Sequence, residues 1–230
     1  MKRLITLATI LFGLSASAFA GDVATLVNLG FSPDSAYFMF GYYGLDMAAG
    51  KPYAEIYIVD TKKNEFTSDG VYRGLYPVEL QPGWNPAGAF YRLFATTITQ
   101  AGKRKIDHLE QGRLIYLSIN GEDASDVLSF KDFSTKVQWD VSLNQNITEE
   151  KDGSILSSFG LDVSILGPDG KKISLKAGNP QIRRKNVKDY TIRQILVAPD
   201  GKTVVVLIER LEKDPTGSGI RYMVETFRLP

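Results

Sequence analysis

Apolar and polar positions along the chain fall mostly into short runs of period two, separated by Gly, Pro, Asp and Ser. In "DVATLVNLGF" Val23, Thr25, Val27 and Leu29 share one face. That alternation predicts a strand with one side on a core. After the turn "SPDS", Ala36 to Tyr43 is almost wholly apolar, the pattern of a strand covered on both faces. Further strands are predicted at 54–60, 113–119, 126–130, 135–143, 155–166, 172–176, 189–197, 203–211 and 220–229.

One stretch has a different period. In "WNPAGAFYRLFATTITQAGKRKIDHLEQG", Phe90, Leu93, Phe94, Ile98, Ala101 and Leu109 recur near one face at helical spacing. Asn85 can cap such a helix with Pro86 at its first position, and Gly112 can stop it. One accessory α-helix over about residues 86–110 is therefore expected. His108 would fall inside it, with Lys103, Arg104 and Lys105 favoured by the negative end of the helix dipole. The predicted fold is mainly β, with antiparallel sheets plus this helix, a β-sandwich being the alternative layout.

The turn phrase recurs. Pro33-Asp34 and Pro199-Asp200 are 166 positions apart, and the same offset carries "AEIYIVDT" (54–61) onto "IRYMVETF" (220–227). Proline presets φ, aspartate accepts backbone N–H groups, and glycine tolerates positive φ. Asp34 and Asp200 are thus read as turn organisers and not as acid catalysts. A third such turn, "ILGPDGKKISL", is not followed by a long apolar strand.

Two resemblances rest on these phrases. "FSPDSAYFMFGYY…EIYIVDT" resembles the blade repeat of TolB-type β-propellers, and residues 197–227 repeat it more loosely. At about 40–45 residues per blade, residues 21–230 have room for at most about five. The helix takes one slot, so the expectation is a blade-like sheet at each end of the chain, side by side. The chain as a whole, through "NLGFSPDSAYFMFGYYG", "NPAGAFYRLFATTI" and "LVAPDGKTVVVLIE", resembles a family of predicted secreted bacterial proteins of unknown function. That resemblance implies export, and it brings no activity, cofactor or site residue.

The N-terminus agrees with export. Lys2 and Arg3 precede an eleven-residue apolar core, "LITLATILFGL", and Ala18-Phe19-Ala20 gives the small-x-small pattern for cleavage before Gly21. The core falls short of the about 20 residues that span a bilayer. Residues 1–20 are read as a cleaved signal peptide and 21–230 as a single β-rich domain, soluble and periplasmic or secreted. No transmembrane segment is expected in the mature chain. With no cysteine, lipid modification at a leader cysteine, disulfides and thiolate metal sites are all ruled out. Loss of Lys2 and Arg3 leaves 25 basic against 26 acidic side chains, so net charge offers no reason to expect nucleic acid.

Chemistry is sparse. His108 is the sole histidine, and no nucleophile elbow, phosphate loop or dinucleotide fingerprint is present. "NGEDASD" (120–126) and "EEKDGS" (149–154) have calcium-loop composition without calcium-loop spacing. No catalytic residue, metal or cofactor is assigned. Tyr42, Tyr43, Tyr76 and Trp84 lie in aromatic, Pro- and Gly-bearing segments that could face a partner. The alternative is that these rings plug the core edge. Lys103, Arg104 and Lys105, and Arg183 and Arg184 with Lys188, could attract anionic glycan or headgroups, or simply form solvated faces. The functional expectation is a non-catalytic, exported binding or interaction protein with an envelope protein or glycan as partner. The runner-up is a carboxylate-dependent glycan hydrolase.

Overall fold

A computed structural model describes residues 21–119, 125–214 and 217–230, with only the backbone of Asp214. The expected leader and most of the acidic stretch 120–126 lie outside the described residues. Among those residues the chain forms three antiparallel sheets and one α-helix, as the periodicity predicts.

Strands β1 (Thr25–Phe31), β2 (Tyr37–Asp46), β3 (Lys51–Asp60) and β4 (Glu65–Leu75) make the first sheet as a simple meander. Helix α1 (Ala87–Lys103) comes next, and then β5 (Arg113–Leu117). The middle sheet holds β6 (Val127–Asp132), β7 (Val137–Glu149), β8 (Ile155–Leu166), β9 (Lys172–Ala177) and the two-residue β10 (Arg184–Lys185). The last sheet joins β11 (Val187–Val197), β12 (Thr203–Asp214) and β13 (Gly217–Arg228), with β5 on its outer edge.

The offset of 166 proves to be a structural repeat. It places the starts of β2 and β3, Tyr37 and Lys51, on the starts of β12 and β13, Thr203 and Gly217. Turn hydrogen bonds repeat with it. Ser32 N–H donates to Tyr37 O at 2.9 Å and Ser35 N–H to Ser32 O at 2.8 Å. The counterparts are Ala198 N–H to Thr203 O at 2.8 Å and Gly201 N–H to Ala198 O at 2.9 Å. Ser35 (φ 57°) and Gly201 (φ 68°) take the same left-handed conformation, tolerated by glycine and costly for serine. In the third turn Gly167 N–H already meets Lys171 O, so that turn closes one residue sooner. Asp34 Oδ1 accepts the Ser32 hydroxyl at 2.6 Å and the Ala36 N–H at 3.1 Å, and these bonds hold its carboxyl below the usual range. Asp200 gathers the N–H groups of Lys202 and Thr203 in the same way.

The two turns also touch. Asp200 N–H donates to Ser35 Oγ at 3.1 Å, and Ser35 is buried. Ser35→Ala leaves that N–H without its acceptor, and we expect a loss of about 1–3 kcal/mol in urea unfolding. Beyond the turns, Ala24 N–H donates to Ile220 O and Ile220 N–H to Asp22 O, so β1 starts alongside β13. The two end segments adjoin.

Side-chain parity sets the layers. Phe38, Phe40 and Tyr42 of β2 pack with Val205 and Leu207 of β12. The opposite face of β12, Val204, Val206 and Ile208, packs on Trp139, Val141 and Phe159 of the middle sheet. Met39, Ile56 and Ile58 turn the other way, onto Phe90 and Leu93 of α1. The layer order is thus helix, first sheet, last sheet, middle sheet. Both "YFMFGYY" and "TVVVLI" are covered on two faces, and this is why neither alternates.

Helix α1 is shorter than expected. Asn85 Oδ1 does accept the Ala87 N–H at 2.8 Å, and Pro86 stands just before the helix with helical φ. At the other end Lys105 turns left-handed (φ 54°), while Ile106 N–H reaches back to Ala101 O and Lys105 N–H to Gly102 O. That is a Schellman ending. The apolar spacing runs past it because Ile106, outside the helix, folds back onto Ala101 in the same core. Of the residues placed on the buried face, Phe90, Leu93 and Ala101 are buried, whereas Ile98 and Leu109 face outward and Thr97 takes the inner place. His108 lies in the turn after the helix, with Nδ1 2.6 Å from Leu29 O.

Candidate functional site

Across the edge strand β13, where the first and last sheets meet the Asn179–Arg184 segment of the middle sheet, lies a cleft of about 340 Å³. Its walls come from both faces of the β13 edge, from β3 and β4, and from loop residues. Along β3, period two puts Glu55, Tyr57 and Val59 on the face toward the last sheet, and β4 adds Arg73 opposite Glu55 and Phe66 opposite Val59. Strand β12 supplies Arg210, β13 supplies Tyr222 from one face and Glu225 from the other, β10 supplies Arg184 and the loop before it Ile182.

Beside the cleft one oxygen of Glu55 gathers three donors. Its Oε2 accepts the Tyr42 hydroxyl at 3.0 Å, the Arg73 Nε–H at 3.0 Å and the Tyr57 hydroxyl. Burial, then the negative charge of Glu55, pushes the Tyr42 and Tyr57 hydroxyls above the usual phenol range. Neither phenol ionises near neutral pH, so both serve as hydrogen-bond donors. Tyr222 is pushed up to about 12, first by burial and then by Glu209. The Phe66 ring stacks on Tyr57 with centroids 4.8 Å apart and is itself about half exposed.

On the far wall sits Glu225, its side chain 6% exposed. Asn64, held in a left-handed conformation in the β3–β4 turn, donates to Glu225 Oε2 and accepts the Thr226 N–H at 2.7 Å. Burial raises the Glu225 carboxyl, with Asn64 and Arg184 opposing. Arg184 lies near the Phe159 ring, 5.0 Å from its centroid, with NH1 3.3 Å from Ile182 O. The nearest contact between Arg184 and Glu225 is 3.9 Å, beyond hydrogen-bond length. Arg210 pairs with Glu212 at 3.0 Å through NH2, while its Nε–H is buried with no partner among the described residues. The Arg210 Nε–H is enclosed and out of a ligand's reach, so Arg184 is the guanidinium at this cleft that keeps donor capacity the protein does not use.

The residues singled out in the sequence separate. Tyr42 is 1% exposed and belongs to the core beside Glu55, because its neighbour Tyr43 takes the opposite face of β2, against Phe90 at 5.6 Å. Tyr76 and Trp84 do come together. They line a groove of about 170 Å³ between the 76–84 loop and the start of α1, where Arg92 sits over the Tyr76 ring and Trp84 is 57% exposed. Arg104 is taken up structurally by Asp69, Gln100 and the Tyr37 ring, while Lys103 and Lys105 are exposed. Arg183 points outward and Arg184 enters the cleft. Among the described residues no three His, Asp or Glu side chains converge as a metal site.

Sequence reading missed Glu55, Tyr57, Asn64, Phe66, Arg73, Arg210 and Glu225. The one available signal was a lone charge inside an apolar strand, Glu55 in "AEIYIVD" and Glu225 in "RYMVETF". Strand β4 was missed too, since as an edge strand with Gly70 and Gly74 it is largely exposed and lacks an apolar face.

No helix among the described residues is long and apolar enough to cross a membrane. No curated protein matches the chain. A family model described as "Predicted secreted protein (DUF2259)" matches residues 39–228, from within β2 to the end of β13. The chain belongs to that family of predicted secreted proteins.

Proposed function

We propose that this is a non-catalytic binding protein of the periplasm or cell exterior, folded as one domain over residues 21–230, with the cleft across the β13 edge as its ligand site. Unused donor capacity at Arg184, in a cleft walled by Tyr57, Phe66 and Tyr222, carries this reading. Its volume lies at the small end of the about 300–1,000 Å³ typical of ligand pockets. In this reading the blade-like halves are scaffold. Their turns clamp one end of the sheet pair, and the charged rim opens elsewhere.

Ile182 lines the cleft and is half exposed, so Ile182→Trp fills the cleft without disturbing the core. Mature protein incubated with envelope extract and analysed by native mass spectrometry should retain a small-molecule or glycan adduct that Ile182→Trp lacks. Equal adducts on both proteins, or none on either, would remove the cleft as the site.

The second reading, a glycan hydrolase, is favoured by the raised carboxyl of Glu225 and by Glu65 on the same cleft. Asn64 already binds one oxygen of Glu225 and Arg184 faces the other, which suits a structural carboxylate better than a proton donor. Turnover of a glycan by the wild type, abolished in Glu225→Gln, would establish the hydrolase in place of the binding protein.

A further inference from the structure

Resting on the cleft reading, we propose that the ligand is a sugar acid, its carboxylate received by Arg184 with Arg210 beside it and its ring laid against Phe66. Three guanidiniums, Arg73, Arg184 and Arg210, and two carboxylates, Glu65 and Glu225, line the cleft. Glu55 and Glu212 offset Arg73 and Arg210, so Arg184 is the guanidinium left to meet an anionic group. Arg73 is already committed to Glu55, at 3.0 Å from Nε. Arg184 is not committed in this way: its nearest carboxylate lies at 3.9 Å, and its contact with the Phe159 ring restrains the guanidinium. A restrained guanidinium with unused N–H groups is preorganised for the two oxygens of a carboxylate.

The remaining walls suit hydroxyls and a flat C–H face. Glu65 can accept from hydroxyl groups, and Asn179 adds an amide at the mouth. Phe66 is stacked on Tyr57 from behind, so its outer face can meet the apolar side of a pyranose ring. A simple organic acid would use the arginines and leave this wall untouched. A neutral sugar would use the wall and leave the arginines untouched.

Isothermal titration of the mature protein tests the idea with D-galacturonate and D-glucuronate beside D-galactose, D-glucose and inorganic phosphate. At least one uronate should bind, with its neutral counterpart and phosphate weaker by about tenfold or more, the scale of a lost charge-assisted hydrogen bond. Arg184→Gln should lose about the same factor, and Arg184→Lys, which keeps the charge without the fork, should fall between. Circular dichroism confirms that both variants fold. A uronate trimer binding more tightly than the monomer places the sugar acid in a polysaccharide, and equal binding places it free in solution; either supports the proposal. Neutral sugar or phosphate binding as tightly as the uronate, or an indifferent Arg184→Gln, overturns the sugar-acid class while the cleft stands. No uronate binding, joined to identical extract adducts on wild type and Ile182→Trp, overturns the cleft as well.

Discussion

Phe40→Ala should lower the stability of the protein by about 3–5 kcal/mol, the cost of emptying a large aromatic site in a packed core. Phe40 is fully buried at the centre of β2. Its ring stacks with Phe38 at 5.9 Å and with Tyr57 at 5.3 Å, and it shares a core with Val205 and Leu207 of β12. The substitution therefore opens a cavity between the first and last sheets, where neither can move in without breaking its own ladder. Urea unfolding followed by tryptophan fluorescence and by far-ultraviolet circular dichroism gives the measurement. Because Tyr57 is also a wall of the cleft, ligand binding should weaken along with stability. Phe66→Ala, outside the core, should weaken binding with much less effect on unfolding. A loss below about 1 kcal/mol for Phe40→Ala would mean that the two sheets do not depend on each other for their packing.

Gly30→Ala should cost about 2–5 kcal/mol, combining a left-handed backbone penalty with steric overlap. Gly30 has φ 97° at the irregularity where β1 shifts register against β2 between Asn28 and Gly30. A Cβ there would lie 2.2 Å from Asp107 O and 3.2 Å from Glu110 O, both backbone atoms. Those atoms belong to the turn after α1, which Phe31 ties down by donating to Glu110 O and accepting from Asp107 N–H. The strain should therefore release that turn. In hydrogen exchange, the amides of Phe31 and Asp107 should lose protection before those of β12. Uniform loss across all sheets would show that the turn does not open by itself.

Much of the fold was legible because its signals are local. The continuous run in β2 and the Pro-Asp turn chemistry depend on neighbours within a few residues and form as predicted. Strand β1 also forms, but Val23 and Thr25 are exposed while Ala24 and Leu26 of its other face meet a core. The helix end was not legible. Ile106 keeps the apolar spacing because tertiary packing returns it to Ala101, so periodicity alone could not separate the helix from the turn after it. The same limit affected the aromatic pair in β2. Their sequence showed two adjacent tyrosines, but only the partner sheets decide that Tyr42 meets Glu55 while Tyr43 meets Phe90.

The cleft depends still more on long-range packing. Asn64 and Glu225 stand 161 positions apart, and they meet because the first and last sheets lie face to face with their repeated turns in contact. Read alone, the chain already predicts export, a cysteine-free β framework and a helix near residue 90, and it carries a phrase repeated at an offset of 166. Folding adds which face of each strand is inner, the contact between the two copies of the phrase, and the gathering of Arg184, Arg210 and Phe66 around one cleft. Strand pattern is set by alternation over a few residues, whereas a site between sheets is set by register and layer order, which no local pattern encodes.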